Sequence, residues 1–94
     1  MNRLVLQAQI LEIAAIRYTP AGLPALDLML KHESQVDEAG SSRKVALEIK
    51  AVALGDVVKR VQTLGLTEKT VFTGFLSAQR QGRGTVFHIT GFAE

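Results

Sequence analysis

Hydrophobic and polar residues alternate along most of this chain, a pattern that predicts β-strands. The first alternating segment is RLVLQAQILEIAAIR, residues 3–17, which becomes apolar on both faces after Ile10. A period of two that slips once is typical of a long strand with a bend or a bulge. The next segment is LPALDLMLKHES, residues 23–34, in which one apolar face is expected to lie in the core. That face carries Leu26, Leu28, Leu30 and His32.

A third alternating segment, RKVALEIKAVA at residues 43–53, predicts another strand. Polar, turn-forming stretches separate the three strands. RYTPAGLP, residues 17–24, contains a type I turn at residues 19–22, with proline second and glycine fourth. SQVDEAGSS, residues 34–42, is interpreted as a loop. The core positions expected in the third strand are Val45, Leu47 and Ile49.

The hydrophobic period changes to that of a helix in GDVVKRVQTLG, residues 55–65. Asp56 is placed to cap a short helix, and Gly65 is placed to end it. The apolar residues at helical spacing are Val57, Val58, Val61 and Leu64.

Two further strands, KTVFTGFLSAQ at residues 69–79 and TVFHITGF at residues 85–92, follow the helix. RQGRG, residues 80–84, joins them and has two arginines, two glycines and no apolar residue. Glycines of this kind favour a tight reversal, so the segment is interpreted as a basic hairpin tip. The predicted order of elements is β-β-β-α-β-β.

Five short strands with one helix between the third and fourth predict an all-β OB-fold, a partly open five-stranded Greek-key barrel. The whole chain, residues 1–94, is expected to form a single OB-fold domain. OB-folds bind oligonucleotides or oligosaccharides on the face of strands 2 and 3 and on the loops joining strands 1 to 2 and 4 to 5. The fold therefore predicts where a ligand site lies.

Composition limits the class of protein. With 47% hydrophobic and 21% charged residues the chain is expected to be globular. No apolar run approaches the roughly 20 residues needed to span a bilayer, and the N-terminal residues do not resemble a signal peptide. The absence of cysteine fits a cytoplasmic protein. A domain this small gains stability from oligomerisation, and the apolar first strand predicts a homodimer paired along its edge.

The distribution of charge says more than the net charge of +2. Residues 1–42 carry three Lys or Arg and five Asp or Glu, a sum of −2, whereas residues 43–94 carry eight and four, a sum of +4. No acid lies between Lys69 and Ala93. Either one side of the fold is basic, or these charges are scattered and solvated.

Basic and aromatic residues coincide with the ligand-binding places of an OB-fold. One group lies at the start of the loop between strands 1 and 2. A second lies on the polar face of strands 2 and 3, and a third forms the tip of the loop between strands 4 and 5. The predicted DNA-binding residues are Arg17, Tyr18, Lys31, Lys44, Lys50, Arg80 and Arg83. All four phenylalanines lie in alternating strands and are assigned mostly to the core, and Phe87, which is next to the basic hairpin, is the best candidate among them for an exposed ring.

Catalytic and metal chemistry have no support in the sequence. QGRGT, residues 81–85, lacks the length and the Lys-Ser/Thr ending of a phosphate-binding loop. His88 has no cysteine or spaced second ligand near it, and His32 is interpreted as a partly buried strand residue. We therefore expect no enzyme activity, no cofactor and no metal.

Five blocks of the chain together resemble the family of primosomal replication protein N, or PriB, a bacterial relative of single-stranded DNA-binding protein. The blocks are NRLVL (2–6), RYTPAGLP (17–24), LKHES (30–34), EAG (38–40) and TGF (73–75). The resemblance implies a non-enzymatic OB-fold homodimer that binds single-stranded DNA. It also implies a role in replication restart with the PriA helicase and other primosome components.

The chain departs from that family where aromatic residues would stack bases. Family members can carry tryptophan or other aromatics on the outer face of strand 3, where this chain has Ala46. They can also carry basic residues near the end of strand 2, where this chain has Glu33. DNA binding is therefore expected to depend mainly on charge. Two alternatives remain open: a protein adaptor that mainly contacts and stimulates PriA, with incidental DNA affinity, and an oligosaccharide-binding domain, which the shortage of aromatics disfavours.

Overall fold

The computed structural model describes residues 1–66 and 68–93, which form six strands and one short helix. The elements are β1 (Leu4–Ile13), β2 (Arg17–Tyr18), β3 (Pro24–Glu38), β4 (Ser41–Leu54), α1 (Val57–Gln62), β5 (Thr70–Ala78) and β6 (Thr85–Ala93). The OB-fold prediction is confirmed. Among the five long strands the helix lies between the third and fourth, as predicted; counting the two-residue β2, it lies between β4 and β5.

Strand β1 closes the sheet into a barrel because it pairs with two different strands. Residues 4–8 pair with β5, and residues 9–13 pair with β3. The pairing register shifts between Ile10 and Glu12, which confirms the bulge predicted from the slipped alternation. The remaining order of the sheet is β5-β6-β4-β3-β2, with β4 and β6 parallel.

Apolar residues from the strands and from one face of α1 fill the barrel. Val57, Val58 and Val61 lie on the buried face of the helix, which closes one end of the barrel. The largest fully buried side chains are those of Phe72, Phe87, Ile10, Leu26, Leu30, Val58 and Val61. The predicted core face of the second long strand is confirmed for its three leucines.

The prediction of a loop at residues 34–42 is wrong. Strands β3 and β4 stay paired from Ala25 and Leu54 to Glu38 and Ser41, so the connection is a turn at Ala39 and Gly40. Both turn residues have positive φ, 53° and 80°, a conformation that suits a tight hairpin. The segment is polar because this end of the hairpin projects beyond the core, and Leu47, predicted as a core residue, is 41% exposed there.

The helix begins after Asp56, as predicted, but its N-cap lacks the expected hydrogen bond and it ends earlier than predicted. Asp56 occupies the N-cap position, but its side chain makes no capping hydrogen bond. The helix ends at Gln62, before Gly65, and the Thr63 hydroxyl donates to the Arg60 carbonyl at 2.6 Å. The Arg60 guanidinium is exposed and lies 4.9 Å from the centre of the Phe92 ring, a cation–π contact at the surface.

Candidate nucleic-acid interface

The outer face of β3 and β4 carries the three predicted lysines. Residues opposite one another in an antiparallel sheet share a face, and Lys31 pairs with Glu48, while Lys50 pairs with Met29. Lys44 pairs with Gln35, on the same face but nearer the end of the hairpin. The structure therefore places the three lysines along one surface.

Acidic residues interrupt that surface. The Lys31 ammonium lies 3.2 Å from a carboxylate oxygen of Glu33, and this hydrogen bond lowers the pKa of Glu33. Glu48 lies directly opposite Lys31 on β4. Lys31 must exchange a carboxylate for a phosphate to bind DNA. It therefore contributes less favourable free energy to DNA binding than an unpaired cation does.

Arg17 is held by a carboxylate of its own fold. Its Nε donates to Asp27 Oδ2 at 2.6 Å and its Nη2 donates to Asp27 Oδ1 at 3.0 Å. This two-pronged hydrogen bond lowers the pKa of Asp27 and raises the pKa of Arg17. About half of each side chain is exposed, so the pair lies at the surface.

Tyr18 lies beside this pair, at the entry to the predicted turn. The turn at residues 19–22 is present, with the Gly22 amide donating to the Thr19 carbonyl at 2.8 Å. Tyr18 is 69% exposed, which leaves its ring accessible. The ring does not pack into the barrel opening.

Arg80 and Arg83 occupy the loop between β5 and β6, and both are exposed. The Gln79 amide donates to the Gly84 carbonyl at 3.1 Å, and Gly82 and Gly84 both have positive φ. The described residues place no carboxylate in a salt bridge with either arginine. The hairpin tip therefore presents two cations without an internal partner.

Sequence reasoning assigned the exposed ring to the wrong phenylalanine. Phe87 is fully buried, whereas Phe75 is 38% exposed. Phe75 pairs with His88 across β5 and β6, and the two rings stack with centres 4.7 Å apart and planes 8° from parallel. The spacing of the phenylalanines could have identified the exposed ring. Phe72 and Phe75 are three residues apart, and a regular strand places such residues on opposite faces.

Gly74 allows this ring pair to form. A Cβ atom at that position would lie 1.8 Å from the His88 carbonyl oxygen and 2.9 Å from the buried Phe87 ring. Strand β6 also has an extra residue here, since Thr73 pairs with Gly91 and Gly74 with Ile89. The close approach of β5 and β6 brings Phe75 over His88.

Other classes of site are not seen in the part of the chain that the structure describes. Within residues 1–66 and 68–93, no three His, Asp or Glu side chains are grouped so that they could hold a metal ion. No helix in those ranges is long and apolar enough to cross a membrane.

A five-stranded barrel with one short helix and these loops is an OB-fold, a class of fold whose members bind oligonucleotides or oligosaccharides. The model of a family described as "Another single-strand binding protein family" matches residues 2–91. The solved single-stranded DNA-binding domain from a Synechococcus species has a TM-score of 0.74 at 23% identity, covering 100% of this chain and 96% of that one. At that identity the likeness concerns the fold alone.

Two more similar proteins define the family within that class. The chain is 51% identical over 81 residues to the replication restart protein PriB of Bordetella pertussis, which covers 86% of this chain and 76% of the relative. The structure of the protein PriB from Ralstonia solanacearum has a TM-score of 0.89 at 33% identity, covering 99% of this chain and 96% of that one. The chain belongs to the PriB family of replication restart proteins.

Proposed function

We propose that this protein binds single-stranded DNA through the outer surface of its barrel and acts, without catalysis of its own, as an adaptor in bacterial replication restart. The observation that carries the proposal is the hairpin tip, where Arg80 and Arg83 are exposed beside an OB-fold barrel and form no salt bridge with a described residue. Its relatives are named for replication restart, which supports the cellular role. A role at the bacterial chromosome implies the cytoplasm.

The proposed interface holds phosphates by charge. Arg80 and Arg83 bind phosphates of one part of the DNA strand, and Lys44 and Lys50 on β4 bind phosphates further along it. Lys31 and Arg17 contact phosphates only after their ion pairs with Glu33 and Asp27 break. None of these groups is arranged to read base edges, so little sequence preference is expected, and duplex DNA should bind less well because its bases are not available for stacking.

We also propose that two copies pair through β1. Residues 4–8 of that strand pair with β5, and their opposite edge faces away from β5. Exposed apolar side chains lie in or just after this strand, and an unpaired strand edge favours pairing with a second chain. These side chains are Val5, Leu11, Ile13 and Ile16.

A second candidate function is a protein-interaction adaptor that mainly contacts and stimulates the PriA helicase. The projecting end of the β3–β4 hairpin favours it, because Val36 and Leu47 are 46% and 41% exposed there. Asp37 lies at the same end, where its carboxylate would repel phosphates and attract a basic protein, while the neighbouring Glu38 is paired with Arg43. In this alternative DNA affinity is incidental.

The test is a salt titration of the Arg80→Ala, Arg83→Ala double variant with a labelled oligothymidine. Each phosphate contact contributes roughly 0.7 to the slope of log affinity against log salt for single strands, so losing two should lower the slope by about 1.4. Affinity should fall most at low salt. Stability should change by no more than about 0.5 kcal/mol, because both side chains are exposed.

The matched control is the Arg43→Ala, Lys59→Ala double variant, which also removes two exposed cations. Arg43 pairs with Glu38 at 2.6 Å on the opposite face of the hairpin, and Lys59 lies on α1. Its slope should stay close to that of the parent. If the Arg80, Arg83 variant instead matches the parent, the tip is not a contact, and the site moves to Arg17, Lys31 and Lys44.

A further inference from the structure

The stacked rings of Phe75 and His88 border an open cavity on the outer wall of the barrel. Its volume is about 320 Å³, and it lies where β4, β5 and β6 meet the beginning of α1. Val52, Leu54 and Val57 provide its apolar walls, and Asp56 and Thr90 provide polar groups. A partly exposed ring beside an apolar cavity is a feature that marks a binding site.

The ring pair lies in line with the proposed DNA surface. Val52 pairs with His88 on one side and with Asp27 on the other, so all three side chains share the outer face with Phe75. Lys50 lies two residues before Val52 on the same face of β4, roughly 7 Å away along the strand. A strand of DNA held at Lys50 therefore passes beside the rings.

The hairpin that carries the rings also carries the basic tip. Phe75 and Arg80 are five residues apart, which corresponds to roughly 16 Å along an extended strand. A phosphate backbone held by the tip and by Lys50 spans the cavity that lies between them. Charge is thus available on two sides of the rings to hold the backbone of a nucleic acid.

Asp56 adds a polar group suited to the edge of a base. Its side chain makes no hydrogen bond to the helix it precedes, and it lines the same cavity as the rings. A carboxylate repels phosphate, but it accepts hydrogen bonds from N–H groups, which every base carries on its pairing edge. Those N–H groups are accessible only when the base is unpaired.

We propose that the Phe75–His88 stack and its cavity form a subsite for one unpaired base of single-stranded DNA. The base extends the stack of two nearly parallel rings, its pairing edge faces Asp56, and its phosphates lie toward Lys50 and the tip. This inference rests on the proposed function, since it names the place where a base of the bound DNA stacks. A peptide from a protein partner fits the cavity less well, because it would leave the flanking cations without a partner.

The first test is the Phe75→Leu variant, which keeps an apolar side chain and loses the aromatic face. Stacking of one base corresponds to roughly a five- to 150-fold loss of affinity for oligothymidine. The salt slope should not change, because no phosphate contact is removed. Phe75→Tyr keeps the ring and should retain the parent affinity, and thermal unfolding of both variants checks that the barrel is intact.

An abasic oligonucleotide separates this inference from the function on which it rests. It has phosphates and no bases, so the parent and Phe75→Leu should bind it equally, while the Arg80→Ala, Arg83→Ala variant should still show its lowered salt slope. Because the chain has no tryptophan, Phe75→Trp supplies a single tryptophan, whose fluorescence can be excited without that of Tyr18. Its emission should be quenched by oligothymidine and not by the abasic strand.

Two results would overturn the subsite. If Phe75→Leu binds oligothymidine as the parent does while the arginine variant loses affinity, single-stranded DNA binding stands and the rings do not stack a base. The cavity would then bind a segment of a protein partner instead of a base. If neither variant changes affinity, the proposed interface fails together with the subsite.

Discussion

Arg17 shows at the scale of one residue why exposure alone does not make a cation available to DNA. Its guanidinium makes two hydrogen bonds to Asp27, and that carboxylate already provides the partner that a phosphate would provide. Arg80 and Arg83 have no such partner among the described residues. The difference predicts that the tip contributes more to DNA binding than Arg17 does in the parent protein.

Releasing Arg17 should strengthen binding. The Asp27→Asn change removes an anion from the outer face and frees the guanidinium, so affinity for oligothymidine should rise and the salt slope should increase by about 0.7. The measurement is the same salt titration. Glu48→Gln is the control, because it removes an anion from that face without freeing Arg17 and should raise affinity without adding an arginine contact. An unchanged slope for Asp27→Asn would mean that Arg17 does not reach the DNA.

Strands β5 and β6 form the element on which most of the proposed site depends, since they carry both the basic tip and the ring pair. Their close approach at Gly74 sets the register that places Phe75 outside the barrel and Phe87 inside it. A change at this glycine should therefore act on the whole hairpin.

Gly74→Ala should destabilise the protein strongly. The new methyl group would lie 1.8 Å from the His88 carbonyl oxygen and 2.8 Å from its carbon, so the backbones of two strands must separate. We expect a loss of about 3 kcal/mol in the free energy of unfolding, measured by urea denaturation. Gly91→Ala is the control, because its methyl group would meet only the Thr73 hydroxyl at 3.5 Å, an ordinary contact. Equal stabilities of the two variants would contradict the close approach.

At the scale of the whole molecule, the proposed pairing of two copies would double the number of cations that one strand of DNA can meet. Each chain carries a net charge of only +2, so an extended interface gains from a second barrel. Two linked sites also bind one strand more tightly than either site alone, provided the strand can reach both.

The Val5→Lys variant tests this assembly. Val5 is 52% exposed on β1, and a charge there should break an interface that buries it. Sedimentation at micromolar concentration should give twice the 10.2 kDa chain mass for the parent and a single chain mass for the variant. Val36→Lys, at a similarly exposed valine on the projecting hairpin, should remain a dimer. A monomeric parent would exclude the proposed assembly.

The sequence by itself determined the order of the elements, the bulge in β1 and most of the core. Alternation with a period of two gives a strand one buried face, and that information is local. Leu26, Leu28 and Leu30 were found in this way. The positions of Arg80 and Arg83 at an exposed tip followed from the same local signals, because glycine and polar residues mark a turn.

Only the tertiary structure decided which side chains meet. The length of the β3–β4 hairpin depends on pairing between two polar segments that have no hydrophobic pattern, so the sequence indicated a loop there. The Arg17–Asp27 pair and the Phe75–His88 stack each join residues on different strands. Gly74 and the extra residue in β6 set the register that aligns the two rings, whereas the pairing of β2 with β3 brings Arg17 to Asp27. Contacts between strands depend on this long-range register, and alternation within one strand does not specify it.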